Sequence, residues 1–493
     1  MKKVLLATIV LFCGMTLNAQ VSVWDGSSAI WTNGNGTEAD PYLIESAENL
    51  AFLASKIESY HNWAAQKQIF QDTVFKMTVD VDLSGTEGLA WLPIGLGDNF
   101  NSYHVAFAGV FDGDGHTVSN MHVMDTLDNY CYQSIGLFGY AINATIKNVK
   151  VIGNSIVMYN WHNGGSATCV GGIIGYGRNV NISNCYSEAN IVCAANIIES
   201  VGCYVGGIAG NVTDSHIACC HNNGSVNSSY ATVYGEGFAG GIAGCAYNCI
   251  LSECCNTGII NANITNTQSV FSGGIVGMAD GSMLIEHCYN NADICAYANG
   301  IAPTYSAGII GYVAETAPIY ISSCYHVGAL NASNTGGIII TVGYDNQVDN
   351  CYFVEDCGGD NGYGTPKPSS EMKTQYFVDM LNCATIAFAM DYSMVNDGYP
   401  VLLANFASIV ENYSPVRNIF PNPMRDNVYI ELSSDAQCQS IDIFSLDGLL
   451  LEKFPETSLQ TIKIDISNLN PGVYVMKIRM NDGKEFSEKL IKE

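Results

Sequence analysis

Short apolar runs separated by polar turns cover most of the chain, and through its middle they become periodic. Gly-Gly-Ile-Xaa-Gly occurs at 171–175, 206–210, 240–244 and 273–277, with looser copies at 136–139, 308–311 and 336–340. Aligned on Gly136, Gly172, Gly207, Gly241, Gly274, Gly308 and Gly337, the intervals are 36, 35, 34, 33, 34 and 29 residues. A second signature, an aliphatic residue three before a cysteine, keeps step with the first. It places Cys185, Cys220, Cys254, Cys288, Cys324 and Cys351 at one repeat position. A period this steady marks a stack of like units. Glycine pairs and β-branched runs make poor helices. The pattern therefore predicts an all-β fold, a parallel β-solenoid of about seven coils. Each coil is expected to open on the glycine-rich strand, pass a polar turn and enter the cysteine-bearing strand.

Parallel coils stack like residues over like at about 4.8 Å. Cβ atoms so spaced lie outside the disulfide window of about 3.5–4.5 Å. The cysteine ladder is thus predicted to stay mostly unbridged, filling a narrow interior as small apolar groups. Tyr186, Tyr289, Tyr325 and Tyr352 follow their cysteines and should face the other way. They form either an exposed column able to bind sugars or partner proteins, or rings packed beneath the neighbouring turns.

Flanking segments differ. Residues 1–19 pattern as a signal peptide, with Lys2-Lys3, an apolar run and a cleavage site between Ala19 and Gln20. That run is too short to span a bilayer. Residues 20–129 predict an N-terminal cap and lead-in strands, with Ser46 capping a helix that carries Leu50, Leu53, Ala54 and Ile57. The repeats proper fill 130–355. Residues 356–414 predict a C-terminal cap and linker, with Ser370 capping a short helix bearing Phe377, Met380 and Leu381. In 415–493 alternating strands at 428–432, 441–444, 461–466 and 473–478 predict a small Ig-like β-sandwich.

Charge narrows the partners. The formal net charge is −27, and no lysine or arginine lies between Arg178 and Lys367. A region without cations does not grip nucleic-acid phosphates or an anionic membrane. Asp112 and Asp114 have the spacing of a calcium loop, but Asp-Gly pairs are also strong turn formers, and a turn is the expectation. No metalloprotease, serine-hydrolase or phosphate-loop motif is present.

Two resemblances follow from residues already named. Gly136-Leu137-Phe138-Gly139, with Asn184-Cys185-Tyr186 and Asn350-Cys351-Tyr352, resembles the bacterial GLUG repeat, over roughly residues 30–405. That family implies an exported, surface-associated protein and supplies no catalytic residues. Phe420-Pro421-Asn422-Pro423, Leu446-Asp447-Gly448, Pro471-Gly472-Val473-Tyr474 and Lys489-Leu490-Ile491-Lys492 resemble the C-terminal sorting domain of the type IX secretion system of Bacteroidetes. This implies passage through the periplasm, engagement of the type IX machinery, and release or attachment at the cell surface. The combined expectation is a non-enzymatic, adhesin-like scaffold with no catalytic, cofactor or metal residues, binding extracellular glycans or host or bacterial surface proteins. The alternative is a carbohydrate-active enzyme using Asp112 with Asp114, or Asp349 with Glu355 and Asp356, as paired carboxylates.

Overall fold

A computed structural model describes residues 21–60, 67–84, 90–97, 104–124, 134–160, 168–195, 202–230, 236–264, 269–298, 302–314, 318–341, 346–404, 416–420, 424–425, 427–432, 438–445, 449–454, 461–480 and 485–492. The predicted cleavage site at Ala19 and Gln20 lies outside them. The chain divides into two compact units, residues 1–371 with 380–383, and residues 372–379 with 384–493.

In the first unit the repeat closes into a coil of four sides. One coil runs Cys203–Gly206, Ala209–Thr213, His216–Ala218 and His221–Asn222, the last side continuing as Val226–Tyr230. Each strand pairs in parallel with its counterparts one repeat away, so Cys203 pairs with Thr168 and Gly237, and Ile217 with Ile182 and Leu251. Stacking gives four sheets of 7, 10, 10 and 16 strands, in the order the coil visits them. The prediction of a parallel β-solenoid is met. The pairing also reaches back to Val21–Val23 and Tyr42–Ile44 and forward to Thr365–Lys367, so the flanking strands join the same sheets.

The glycine pair is a corner, where the sequence suggested the body of a strand. It separates the first sheet from the second, and its two members have different tasks. A Cβ on Gly240 would lie 1.9 Å from the Ala243 carbonyl oxygen, so the first position here is bare where the chain doubles back; Ala307, which pairs with Gly273 and Gly336, is the largest residue at that position among the paired strands from Gly171 to Gly336. A Cβ on Gly274 would lie 2.0 Å from the Gly308 carbonyl oxygen and 2.5 Å from Asn290 Cβ. The second position therefore leaves room for a side chain rising from the far wall.

That side chain belongs to an internal ladder. Ser187, Asn222, Asn256, Asn290, His326 and Phe353 pair successively in the fourth sheet, and all are buried. Asn222 Nδ2 donates to Asn256 Oδ1 at 2.7 Å, Asn256 Nδ2 to Asn290 Oδ1 at 2.6 Å, and Asn290 Nδ2 to His326 Nδ1 at 3.0 Å. Each amide also donates to a carbonyl two residues on, as Asn256 does to Gly258 at 2.8 Å. Amides buried without partners would destabilise the interior; stacked, they satisfy one another.

Two left-handed corners complete the coil. Asn143, Asn179, Asp214 and Asn248 turn between the second and third sheets at φ 51–55°. Asn148, Asn184, Cys219, Glu253, His287, Ser323 and Asn350 turn between the third and fourth at φ 50–56°. Asn and Asp tolerate this region best. At Glu253 and His287 the bend is held by backbone hydrogen bonds to the next coil, to Glu286 and Ser322 at 3.1 Å.

The ladder cysteines come just after the second corner, are at most 2% exposed, and carry free thiols. Cys220 Sγ donates to the Ala218 carbonyl at 3.2 Å and Cys254 Sγ to that of Ser252 at 3.3 Å. Away from the ladder, Cys193 and Cys203 are joined as a disulfide. Ser46 Oγ accepts from the Asn49 amide at 3.3 Å and caps the helix Ala47–Glu58, which buries Leu50, Leu53, Ala54 and Ile57.

The predicted helix from Ser370 is interrupted. Residues Ser369–Met372 make one turn, and Thr374 Oγ1 starts a second helix, Gln375–Leu381, by accepting from the Phe377 amide at 3.3 Å. The C-terminal part is a small β domain of two antiparallel sheets. Val416–Phe420, Asn427–Leu432 and Thr461–Asp465 form one; Leu450–Phe454, Cys438–Ser445, Gly472–Met480 and Glu485–Lys492 form the other. Val428, Ile430, Ile441, Ile443, Met476 and Ile478 share its core.

Candidate functional site

The left-handed corner between the second and third sheets recurs in four successive coils, each with a strand of the third sheet beside it. Asn143, Asn179, Asp214 and Asn248 follow the second glycine of their repeats at a constant seven residues. Asn179 Nδ2 donates to Asn143 Oδ1 at 2.6 Å, and Asn248 Nδ2 to Asp214 Oδ1 at 3.2 Å, tying the coils together along the outside. Next to them the third sheet presents Thr145, Asn181, His216, Ile250, Leu284 and Tyr320 in register. Between corner and sheet runs an open groove of about 510 Å³, floored by Ala144, Val180 and Ser215. Ile250, in the lining, is 44% exposed, and Tyr247 and Tyr320, outside the lining, are 40 and 42% exposed. His216 Nε2 lies 3.4 Å from Ser252 Oγ across the next coil.

Of the two arrangements open to the tyrosine column, the described rings adopt the packed one. The rings do occupy the outward side of the fourth sheet, but Tyr289, Tyr325 and Tyr352 are only 4, 0 and 6% exposed. Tyr289 and Tyr325 stack face to face, with centroids 5.0 Å apart and planes 3° apart, so each ring shields its neighbour. Tyr186 is half-buried and donates to Glu188 Oε2 at 3.0 Å. Burial, then the Glu188 carboxylate, pushes its phenol up to about 12. A column closed in this way offers a ligand little surface. Its other members, His221 and Cys255, pair in register between Tyr186 and Tyr289.

The carboxylates weighed for catalysis are differently placed. Asp112 Oδ2 meets Lys147 Nζ at 3.1 Å, and Asp114 Oδ2 meets Lys76 Nζ at 2.9 Å. Asp114 is itself a left-handed turn residue whose amide donates to Asp112 Oδ1 at 2.9 Å. Burial works against the Asp112 carboxylate, but hydrogen bonds from Asn148, the Asp114 backbone and Lys147 outweigh it and hold its pKa below the usual value. Asp349, Glu355 and Asp356 are exposed, on a strand end and a one-turn helix. Among the described residues, no group of three or more His, Cys, Asp or Glu is placed to hold a metal ion.

Of the sorting residues, Gly472, Tyr474 and Lys492 are described; Pro421, Asn422, Pro423, Gly448 and the Lys489 side chain lie outside the described residues. Tyr474 Oη donates to the Asn470 carbonyl at 2.5 Å across the turn that carries Gly472. Lys492, 8% exposed, donates its ammonium to the Ile466 and Ser467 carbonyls at 2.6 and 3.1 Å.

The groove was absent from the sequence expectation, although its residues sit at fixed offsets from the glycines. Asparagine at those offsets belongs to the polar turn expected after each glycine-rich strand, and it makes that turn.

Comparison with known proteins bears chiefly on the tail. Residues 418–493 match the family described as the secretion system C-terminal sorting domain. Such a tail directs export to the cell surface or secretion, and among the described residues no helix is long and apolar enough to cross a membrane. A protein of Evansella cellulosilytica, named provisionally a Gly-rich membrane protein, is 31% identical over 169 residues, 33% of this chain and 16% of that one. Halomucin of Haloquadratum walsbyi is 28% identical over 165 residues, 29% of this chain and 2% of its own. The chain thus spans less than a fifth of either relative. A crystal structure from Bacteroides ovatus, titled provisionally as an immunoglobulin A1 protease, aligns with a TM-score of 0.42 at 19% identity, over 76% of this chain and 95% of that one.

Proposed function

We propose that this exported chain is a non-enzymatic, adhesin-like binding scaffold of the GLUG-repeat kind, delivered through the type IX secretion machinery of a Bacteroidetes cell. The observation that carries the reading is the groove. Its lining draws on four successive coils, with Asn or Asp at each corner, which suits holding an extended partner. The carboxylate pair nearest to a hydrolase arrangement is engaged by Lys76 and Lys147, which favours binding over hydrolysis. Extracellular glycans and proteins on host or bacterial surfaces are the partners. The reading calls for no cofactor, calcium included.

The test has two arms. Deleting residues 415–493 is expected to hold the protein in the periplasm, and normal surface display of the truncated chain would refute the secretion route. The secreted full-length chain, incubated with polysaccharides and with cells, is expected to be retained on one of them without cleaving it, in EDTA as in buffer. Depolymerisation of any polysaccharide would overturn the non-enzymatic reading in favour of a carbohydrate-active enzyme.

A further inference from the structure

We infer that the groove between the second and third sheets takes a neutral, linear polysaccharide lying parallel to the solenoid axis. This rests on the scaffold reading and specifies its ligand and site.

The argument begins with periodicity. The groove offers a polar corner side chain at steps of about 4.8 Å over four coils, Asn143, Asn179, Asp214 and Asn248, while its sheet side varies from Thr145 through Asn181 and His216 to Ile250. A small molecule uses one step. A linear polymer uses them all, and successive weak contacts along one chain add as linked binding events.

The chemistry of the steps then selects the polymer. A primary amide carries two N–H donors and a carbonyl acceptor. Asn179 uses one N–H on Asn143 and Asn248 one on Asp214, and each keeps a second on an exposed side chain. With Asn181 and His216 alongside, the wall presents donors and acceptors mixed at every level, the complement of a chain of hydroxyls. The exposed ring of Tyr247 stands one residue before the Asn248 corner, and that of Tyr320 stands two coils on. Aromatic surface with a polar tip suits a ligand that is apolar on one face and wet at its edge, as a sugar ring is.

Charge removes the competing polymers. Asp214 lies within the groove, and Arg178 stands beside it, one residue before the Asn179 corner; the next cation along the chain is Lys367. A sulfated or uronic-acid chain, charged along its whole length, would meet that arginine at one step and Asp214 at the next, within a chain of net charge −27. A folded protein partner would want a deep pocket for an aromatic or arginine anchor; this groove is open and shallow-floored. A neutral glycan needs neither cation nor pocket.

The corner allows a clean test. Glycine keeps the left-handed turn while deleting the amide, and the chain itself uses Gly281, at φ 68°, at the equivalent place one coil on. The secreted full-length protein and its Asn179→Gly/Asp214→Gly/Asn248→Gly variant are compared on a panel of neutral glucans, mannans and xylans, polyanionic glycans, and protein-coated surfaces. Asn184→Gly, at the other corner, is the control. The expected result is retention on a neutral polysaccharide, weakened about tenfold or more in the triple variant and unchanged in the control, with all three proteins keeping one cooperative melting transition above the assay temperature. Neutral-glycan binding that survives the triple variant overturns the site and leaves the scaffold reading standing. Capture only by polyanions or proteins overturns the ligand class and likewise leaves the scaffold. Depolymerisation that the triple variant abolishes keeps the site and sinks the scaffold reading. Retention on nothing in the panel overturns both.

Discussion

The two units bury their strands by opposite rules. In Gly472–Met480 every second side chain from Tyr474 on is buried and the rest are half-exposed, the signature of a sheet with one wet face. A Cβ added to Gly472 would meet nothing closer than 3.7 Å. In the solenoid, Gly237–Gly240 and Val270–Gly273 are buried at every position. The first sheet lies against the second there, and a Cβ on Gly273 would stand 1.9 Å from the Val276 carbonyl oxygen and 2.5 Å from the Gly311 amide. Alternation works where one face sees water. Where both faces are covered, selection acts on size, and the decisive residues are those without a side chain.

Glycine exchanges test this contrast most severely. Gly274→Val is expected to destroy the stack, a loss above about 4 kcal/mol in denaturant unfolding, because backbone lies within 2.0 Å of the new Cβ. Gly472→Ala should stay within about 0.5 kcal/mol. Equal losses would end the distinction.

Acid should separate the units next. Burial lowers the His326 pKa from 6.5 to about 4, so the imidazole is neutral when folded and binds a proton when unfolded. Its contribution is complete above pH 6.5 and is lost as pH falls toward 4, on the order of 3 kcal/mol over that interval. The second unit contains no histidine. Peptide-resolved hydrogen exchange should show the solenoid loosening across this window with no matching step in the C-terminal sheets. His326→Asn, which continues the amide ladder, should shrink the step by about half, because burial also lowers the His221 pKa to about 4 and that ring titrates across the same window.

Asn256→Ala should follow at about 2 kcal/mol, since it strips Asn222 Nδ2 of its acceptor and Asn290 Oδ1 of its donor in a dry interior. The smallest effect belongs to the surface pair of Lys76 and Asp114, whose side chains are 37 and 48% exposed. Lys76→Ala should cost less than about 1 kcal/mol by thermal unfolding.

Much of this was legible in the sequence. The spacing of Gly172, Gly207 and Gly241 gave the coil, and alternation at 428–432 and 473–478 found strands of the C-terminal domain. The inward ladder was hidden because Asn222, Asn256 and Asn290 follow their cysteines by two residues, where polar residues suggest a turn. The tyrosines were placed on the correct side of their sheet, but exposure depends on what lies above a face, which spacing does not encode. The groove escaped for a related reason. Asn179 and Asn248 satisfy a backbone need, and a residue with one sufficient explanation hides a second.

The internal ladder also solves an addressing problem. Coils so alike can settle one floor out of place, each strand finding a partner that fits almost as well. The series Ser187, Asn222, Asn256, Asn290, His326, Phe353 is uniform only in its middle. A stack displaced by a floor would set a phenyl ring against an amide that needs a hydrogen bond. The hydroxyl at one end and the ring at the other act as bookends, and they let a repetitive chain count its own coils.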